Sequence, residues 1–245
     1  METDIVVVLG ALLAGFTTGF AGFGTGLVAS GLWFHVLPAQ WVPPLVALTS
    51  VVAQIVGLIT VRRAFDWRRA SPYLIGGVLG VPLGVMALSM ATPALLRALI
   101  GAFLVVYGGY QLTGAGRRWR IGRRGRRADG LVGVTGGFLG GFAGLSGPLP
   151  LVWLQLQGGS ADSQRATYQP FNLVVLAVAS IAMSMSGQLG PPVLSLAAFC
   201  LPASVLGAMI GVRVYRTVAE DTFRRVVLIL LLISGAILLQ QSIAA

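Results

Sequence analysis

The sequence predicts an all-α polytopic membrane protein made of two homologous four-segment halves. The first observation behind this prediction is composition: 56% of the 245 residues are hydrophobic, only 10% are charged, and the mean hydropathy is +0.87. A chain of this composition cannot cover itself with a polar surface, so a soluble globular fold is not expected. The second observation is a repeated tripeptide, in which Phe20-Ala21-Gly22 recurs as Phe142-Ala143-Gly144 with an offset of 122 residues.

The repeated tripeptide lies within two glycine-rich apolar stretches. The first, Gly15–Gly26, reads GFTTGFAGFGTG, and the second, Gly137–Pro148, reads GFLGGFAGLSGP. Glycine inside a helix is less favourable than alanine by about 1 kcal/mol. Clustered glycines in a hydrophobic span therefore mark a helix break or a very close backbone contact. We predict that each half begins with a glycine-broken helix, either re-entrant or discontinuous.

The N-terminal half, residues 1–112, is predicted to hold four membrane segments. Its first segment, residues 5–36, is interrupted at Gly22–Gly26. The pieces of about 16 and 10 residues that this leaves are each too short to cross a hydrocarbon core of about 30 Å. Three uninterrupted spans are predicted to follow, at residues 44–61, 72–91 and 94–112.

The C-terminal half, residues 130–245, repeats this plan after an arginine-rich linker at residues 113–129 that is too polar for a span. A broken segment at 130–157 is followed by spans at 167–186, 192–212 and 226–241. Glycines four residues apart allow another helix to approach closely. Such a spacing occurs in the third and seventh segments, at Gly76, Gly80 and Gly84 and at Gly207 and Gly211.

The net charge of +10 comes from arginine, which clusters in residues 62–69, 113–129 and 213–225. The positive-inside rule places all three clusters in the cytoplasm if each broken segment enters and leaves the membrane on one side. The halves would then form an inverted repeat, with both termini outside. Arginines beside apolar spans suit anionic headgroups, so membrane lipids are expected partners and nucleic acid is not. The oligomeric state stays open.

The two glycine breaks are the predicted substrate site. Irregular backbone at membrane depth needs protein or water to satisfy its amides, so both breaks should line a cavity. Each precedes a short helix, whose N-terminus offers free amides and about half a positive charge to an oxyanion. Close packing of two helices is the alternative explanation. The expected helix caps are Thr25 or Gly26 in the first half, and Ser146 with Gly147 before Pro148 in the second.

Polar residues within the apolar spans add to this site. The offset of 122 residues pairs Ser50 with Asn172, and Thr49, Gln54, Thr167, Tyr168 and Gln169 lie nearby in sequence. Uncharged donors suit reversible anion binding, although each could instead form an interhelical hydrogen bond. The predicted substrate-binding residues are Gly22, Gly24, Thr25, Gly26, Ser50, Gly144, Ser146, Gly147 and Asn172.

Catalysis, a cofactor and a metal site are not expected. Gly144-Leu145-Ser146-Gly147 matches the GxSG motif of rhomboid intramembrane proteases, but no histidine base follows Ser146, and His35 lies in the other half. No cluster of histidine, cysteine or carboxylate ligands is present in the sequence. All seven acidic residues, Asp129 included, are assigned to loops or the N-terminus. A carboxylate proton relay is therefore not expected, and the membrane potential could drive an anion outward.

The duplicated glycine breaks and the phrase Phe65-Asp66-Trp67-Arg68 make the chain similar to the sulfite exporter TauE/SafE family of membrane transporters. The resemblance runs from about residue 6 to residue 241. It implies export of a small sulfur-containing anion, such as sulfite, sulfoacetate or another organosulfonate, across a bacterial inner membrane. We expect a transporter that works by alternating access. A passive anion channel and a non-transporting membrane scaffold are the alternatives.

Overall fold

The computed structural model describes residues 2–61, 67–114, 120–122, 124–215 and 220–243. Within these ranges the chain forms ten α-helices and one short 3-10 helix, with no strand, as the all-α prediction requires. The first five α-helices are α1 (Glu2–Ala21), α2 (Thr25–Trp33), α3 (Val42–Val61), α4 (Trp67–Met90) and α5 (Pro93–Thr113), with the 3-10 helix at Ala39–Trp41. The others are α6 (Arg126–Ala143), α7 (Pro148–Gln157), α8 (Ala161–Met185), α9 (Pro191–Val214) and α10 (Glu220–Ile243).

Seven of the described helices are long and apolar enough to cross a membrane, which makes this a multi-pass membrane protein. They are α1, α3, α4, α5, α8, α9 and α10. Several begin earlier than the predicted spans; α4 begins at Trp67 and α8 at Ala161. The difference arises because a helix continues into the headgroup layer, where polar side chains are solvated and backbone hydrogen bonds persist.

Helix α1 is longer than the sequence suggested. It contains 20 residues, whereas the broken first segment was expected to begin with a helix of about 16. At 1.5 Å per residue α1 extends about 30 Å, the thickness of a hydrocarbon core. The expectation that neither piece of this segment could cross a membrane is therefore wrong for α1. The reason is that Asp4 at its polar start belongs to the helix and not to a preceding loop.

Helix α6 begins at Arg126, within the range assigned to the linker, and it buries Asp129. This carboxylate is only 6% exposed. Its Oδ1 accepts hydrogen bonds from Tyr73 Oη at 2.7 Å, Trp153 Nε1 at 2.8 Å and Gln157 Nε2 at 2.7 Å. Assigning every acidic residue to a loop or the N-terminus is therefore wrong at Asp129, because donors from α4 and α7 make burial of its carboxylate possible. Residues 62–66, 115–119, 123 and 216–219, parts of the three predicted basic segments, lie outside the described ranges.

Two pairs of parallel helices pack closely against each other at glycine residues. Helix α6 runs along α4, and α1 runs along α9 in the same direction. A Cβ added to Gly137 would lie 2.0 Å from Gly77 O, and one added to Gly15 would lie 2.1 Å from Ser204 O. Backbones this close leave no room for any side chain. The close approach predicted for the glycine faces is confirmed at Gly76, Gly80, Gly84, Gly207 and Gly211.

The short helices return along the helices that precede them. Trp33 Nε1, at the end of α2, donates to Val7 O near the start of α1 at 3.1 Å. Trp153 of α7 reaches back to Asp129 near the start of α6 in the same way. The glycine-rich connections between α1 and α2 and between α6 and α7 are therefore turns between antiparallel helices.

Candidate functional site

The first turn joins α1 to α2 through two glycines with left-handed backbone. The φ angles are 81° at Gly22 and 112° at Gly24, a region that side chains other than glycine rarely adopt. Gly24 occupies the N-cap position of α2 and Thr25 is the first helical residue. Thr25 N donates to Thr18 Oγ1 at 2.9 Å, and the two threonine hydroxyls also pair. Capping by Thr25 or Gly26 is therefore wrong, because the cap acceptor comes from α1.

The second turn joins α6 to α7 at Gly144–Gly147. Gly144 has a φ of 71°, Gly147 is the N-cap of α7, and Pro148 is the first helical residue. The predicted positions of Gly147 and Pro148 are thereby confirmed. Ser146 does not cap the helix, since its hydroxyl donates to Asn172 Oδ1 at 3.0 Å. This hydrogen bond ties the turn to α8.

The two turns meet at a small central cavity. A Cβ on Gly26 would lie 2.6 Å from Gly144 O, so the backbone at the start of α2 is in contact with the second turn. The cavity has a volume of about 20 Å³, which is space for about one water molecule. Eight of the nine predicted site residues line it: Gly24, Thr25, Gly26, Ser50, Gly144, Ser146, Gly147 and Asn172. Gly22 lies beside this cavity, and the role of all nine as substrate ligands stays a prediction.

Several buried polar atoms at or near the central cavity lack a hydrogen-bond partner within the described part of the chain. They are Ser50 Oγ, Gln54 Oε1 and both amide atoms of Gln169. An unpaired buried polar group costs about 1–3 kcal/mol, and most such groups in proteins are paired. Water or a bound solute could complete these hydrogen bonds.

A larger cavity, with a volume of about 360 Å³, adjoins the central one. The two cavities share Phe23, Gly24 and Leu27 in their walls. Helix ends form much of the larger cavity: the end of α1, the start of α8 and the residue that follows α9, Tyr215. Two arginines, Arg120 and Arg165, also line it. The larger cavity therefore combines positive charge with aromatic surface.

Arg165, which is not among the predicted site residues, is only 4% exposed. Its guanidinium carbon lies 4.5 Å from the centre of the Tyr215 ring, and Nη2 donates to Gly19 O at 3.4 Å. Its Nε has no hydrogen-bond partner, and no carboxylate pairs with Arg165 among the described residues. A buried charge is expensive unless it is paired or hydrogen-bonded. Arg165 is thus a buried cation whose hydrogen-bond donors are only partly used.

Arg165 is the first residue of a polar face of α8 that connects the two cavities. Arg165, Tyr168, Gln169 and Asn172 occupy positions i, i+3, i+4 and i+7, which share one side of a helix. Arg165 lines the larger cavity and Asn172 the central one. Between them, a Cβ on Gly22 would meet Gln169 Nε2 at 2.7 Å, Arg165 Nε at 2.8 Å and Tyr168 Oη at 2.8 Å. This helical spacing is the sequence signal that could have identified Arg165.

His35 lines neither cavity. Its Nε2 lies 2.9 Å from Ser234 Oγ, between α2 and α3 on one side and α10 on the other. The histidine therefore lies away from the polar face of α8.

Seven membrane-spanning helices and the comparison with known families place the protein in the class of multi-pass membrane transporters. The chain belongs to the sulfite exporter TauE/SafE family, whose model matches residues 7–238. It is also 29% identical over 232 residues to the "Probable sulfite/organosulfonate exporter TauE" of Cupriavidus necator, which covers 91% of this chain and 89% of that protein. No solved structure matches the chain. The family resemblance predicted from the glycine pattern is confirmed.

Proposed function

We propose that the protein exports a small sulfur-containing anion across a bacterial inner membrane by alternating access. The observation that carries this proposal is the junction of two cavities, one lined by both glycine turns and the other by the buried cation of Arg165. Helix N-termini and guanidinium groups both favour oxyanions. Family membership and the name of the Cupriavidus protein support sulfite or an organosulfonate as the substrate.

The central cavity is the narrow point of the proposed route. At about 20 Å³ it is smaller than a sulfite ion requires, so the anion can pass only if the two turns separate. The unpaired atoms of Ser50 and Gln169 would then be available as hydrogen-bonding groups. We retain the nine predicted residues as substrate contacts and propose that they act when the turns move apart.

We also propose that residues 1–112 and 130–245 form an inverted repeat joined by the linker at 113–129. Gly15 and Gly137, separated by the repeat offset, each meet a backbone carbonyl of a parallel partner helix. Helices α5 and α10 run antiparallel, because Gly101 lies against Gly235 and Gly108 lies against Leu228. A two-fold axis that relates antiparallel helices is perpendicular to them. Such an axis would lie in the membrane plane, as an inverted repeat requires.

The orientation follows from the arginines. Arg69 Nη1 donates to Ser163 Oγ at 2.6 Å, and Arg126 Nη1 donates to Arg68 O at 3.2 Å, so one end of the helix bundle gathers these basic residues. By the positive-inside rule this arginine-rich end faces the cytoplasm, where anionic lipid headgroups would contact it. The larger cavity, which contains Arg165, would then lie on the cytoplasmic side and both chain termini outside.

Cysteine labelling in intact cells tests this orientation in a Cys200→Ala background. Thr113→Cys and Arg213→Cys lie at the arginine-rich end and should resist a membrane-impermeant thiol reagent. Ser186→Cys follows α8 at the opposite end and should react. Reaction at only one of residues 113 and 213 would exclude the inverted-repeat arrangement.

Anion flux from proteoliposomes tests the function itself. We expect saturable efflux of sulfite or sulfoacetate, and no conductance of the kind that a channel shows in planar bilayers. A potential of 100 mV, negative inside, favours exit of one negative charge by about 2.3 kcal/mol, nearly 50-fold in concentration. Efflux should therefore accelerate when valinomycin makes the lumen negative, as electrogenic uniport predicts. Absence of both flux and conductance would leave the scaffold alternative.

A further inference from the structure

We infer that Arg165 binds the anionic head group of the substrate in the larger cavity, and that this cavity fits an organic anion better than bare sulfite. The inference rests on the proposed export function and adds a residue and a substrate class to it. It concerns the cavity at the arginine-rich end, whereas eight of the nine predicted site residues line the central cavity, with Gly24 in the wall of both. Three observations support the inference. They are the unused hydrogen-bonding capacity of Arg165, the apolar and aromatic wall of the larger cavity, and the polar face of α8.

Arg165 has the geometry of an anion-binding residue. A guanidinium has five N–H donors in a planar fork that matches sulfonate or carboxylate oxygens. One nitrogen, Nη2, contacts Gly19 O at a long 3.4 Å, and the Nε donor is buried with no partner among the described residues. The guanidinium carbon lies over the Tyr215 ring, 4.5 Å from its centre, and this cation–π contact helps to hold the guanidinium in place. An oxyanion in the cavity would neutralise the charge and accept hydrogen bonds from guanidinium donors that Gly19 O leaves free.

Capping of α1 is the competing role for Arg165. The last carbonyls of a helix carry a partial negative charge, and Gly19 O belongs to the final turn of α1. Tyr168 Oη already donates to Ala21 O in that turn at 2.7 Å. Capping uses one nitrogen of Arg165 and leaves Nε unexplained. A purely structural Arg165 would affect stability and leave anion affinity unchanged, so the two roles can be separated.

The wall of the larger cavity suits the uncharged part of an organic anion. Phe20 packs edge-on against Tyr215 with ring centres 5.8 Å apart, and Phe23 packs edge-on against Tyr168 at 6.0 Å. Aliphatic residues of α7 and α10, including Leu151 and Leu231, complete the wall. A volume of about 360 Å³ lies at the low end of the roughly 300–1,000 Å³ range for small-molecule sites. Sulfite would fill little of this space and would leave most of the apolar wall uncovered.

The polar face of α8 offers the head group a path inward from Arg165. Gln169 Nε2, which has no hydrogen-bond partner among the described residues, approaches the same point beside Gly22 as Arg165 Nε, and Asn172 follows at the central cavity. Along this path the anion would leave the charged guanidinium and be bound by neutral donors. A head group held first by charge and then by weaker donors can move on without being trapped.

Titration calorimetry on the purified full chain in detergent at low ionic strength tests the inference, with ethanesulfonate and sulfite as probes. We expect wild-type protein to bind ethanesulfonate at least tenfold more tightly than sulfite. Removing a hydrogen bond to a charged ligand weakens binding by roughly 10- to 150-fold. We expect a loss of that size for Arg165→Gln and a smaller loss for Arg165→Lys, which keeps the charge without the fork. Arg213→Gln is the matched control, because Arg213 is exposed at the same end of the bundle and lines neither cavity.

A second measurement needs no variant and therefore does not depend on folding of the mutants. Ethanesulfonate should slow phenylglyoxal modification of Arg165 in wild-type protein, measured by mass spectrometry, and leave that of Arg213 unchanged. Wild-type affinity in Arg165→Gln, or no protection of Arg165, would overturn the role of this residue. Equal affinity for sulfite and ethanesulfonate would overturn the substrate class. Failure of the export proposal is recognised separately, by absence of anion flux in wild-type proteoliposomes.

Discussion

Gly22 and Gly144 occupy equivalent positions in the two halves and have different surroundings. Both have positive φ, at 81° and 71°, and both begin the turn before a short helix. The atoms nearest a Cβ at Gly22 belong to Gln169, Arg165 and Tyr168, whereas those nearest a Cβ at Gly144 belong to Val46 and Ala47. The two turns therefore share a positive φ at this glycine and differ in the polarity around it.

This difference indicates how an exporter could distinguish its two sides. The repeat offset relates Val46 to Tyr168 and Ala47 to Gln169, so α3 is apolar at the positions where α8 is polar. In the proposed orientation, positive charge collects anions on the cytoplasmic side, since a charged cleft raises the local concentration of its counter-ion. The turn around Gly144 has no such charge among the residues nearest it. An anion that passes the central cavity would meet weaker attraction there and be released.

The packing glycines should give the largest effects, and these should be similar in the two halves. Gly15→Ala and Gly137→Ala each place a methyl group about 2 Å from a backbone oxygen of a parallel helix. A rigid helix pair has to separate to accept it, which costs about 1–3 kcal/mol or more. We expect both variants to melt well below wild type in detergent. Gly109→Ala is the control, because no atom lies within 4 Å of its added Cβ.

An intermediate effect is expected at the turns, and here the halves should differ. Gly144→Ala would come within 2.4 Å of Val46 Cγ1, a β-branched side chain on a packed helix, so we expect a loss of stability. Gly22→Ala would instead displace the ends of Arg165, Tyr168 and Gln169, so we expect weaker ethanesulfonate binding and a smaller loss of stability. Melting and calorimetry on both variants separate these outcomes.

The control for the turn variants is Gly187→Ala. Gly187 has a φ of 72° with no atom near its added Cβ, so this variant reports backbone strain without crowding. If Gly22→Ala and Gly144→Ala lost the same stability and the same affinity, the contrast between the two turns would have no functional meaning.

The parts of the structure that follow from local sequence were predictable. Apolar runs gave the spans, and the offset between Phe20 and Phe142 gave two corresponding turns, because glycine clusters have few structural uses inside a membrane. The same offset paired Ser50 with Asn172, and both line the central cavity. Helix ends were predicted less well. Polar residues such as Asp4 extend the helices past the apolar core without any hydrophobic signal.

Arg165 was absent from the predicted site, and Asp129 was assigned to a loop, because the residues that surround them come from distant parts of the chain. Arg165 is covered by Tyr215 and the end of α1, and Asp129 by donors from α4 and α7. From the sequence, a charged residue beside a helix end is predicted to be exposed to solvent. Only tertiary contacts make it buried, and hydropathy contains no information about them.

The two helix hairpins can also be compared at the ends away from their turns, where α1 and α6 begin. The repeat offset relates Asp129 to Val7, and each position accepts a hydrogen bond from a tryptophan indole, Trp153 in one half and Trp33 in the other. The acceptor is a side-chain carboxylate in the second half and a backbone carbonyl in the first. Because Asp129 lines neither cavity, we interpret its carboxylate as the acceptor that holds the α6–α7 hairpin to α4.

The smallest effect is therefore expected for Asp129→Asn. The amide oxygen can still accept from Tyr73, Trp153 and Gln157. Each bond to a neutral acceptor is weaker by about 1 kcal/mol, but a neutral amide costs less to bury than a carboxylate, and the second effect offsets much of the first. We expect a slightly lower melting temperature and unchanged anion efflux driven by the membrane potential. Asp129→Leu leaves three donors without an acceptor and should destabilise the protein much more. It therefore serves as the control that shows how much the hydrogen bonds contribute to stability. If Asp129→Asn melted like wild type but lost efflux, Asp129 would be a proton-coupling residue and uniport driven by the potential alone would be wrong.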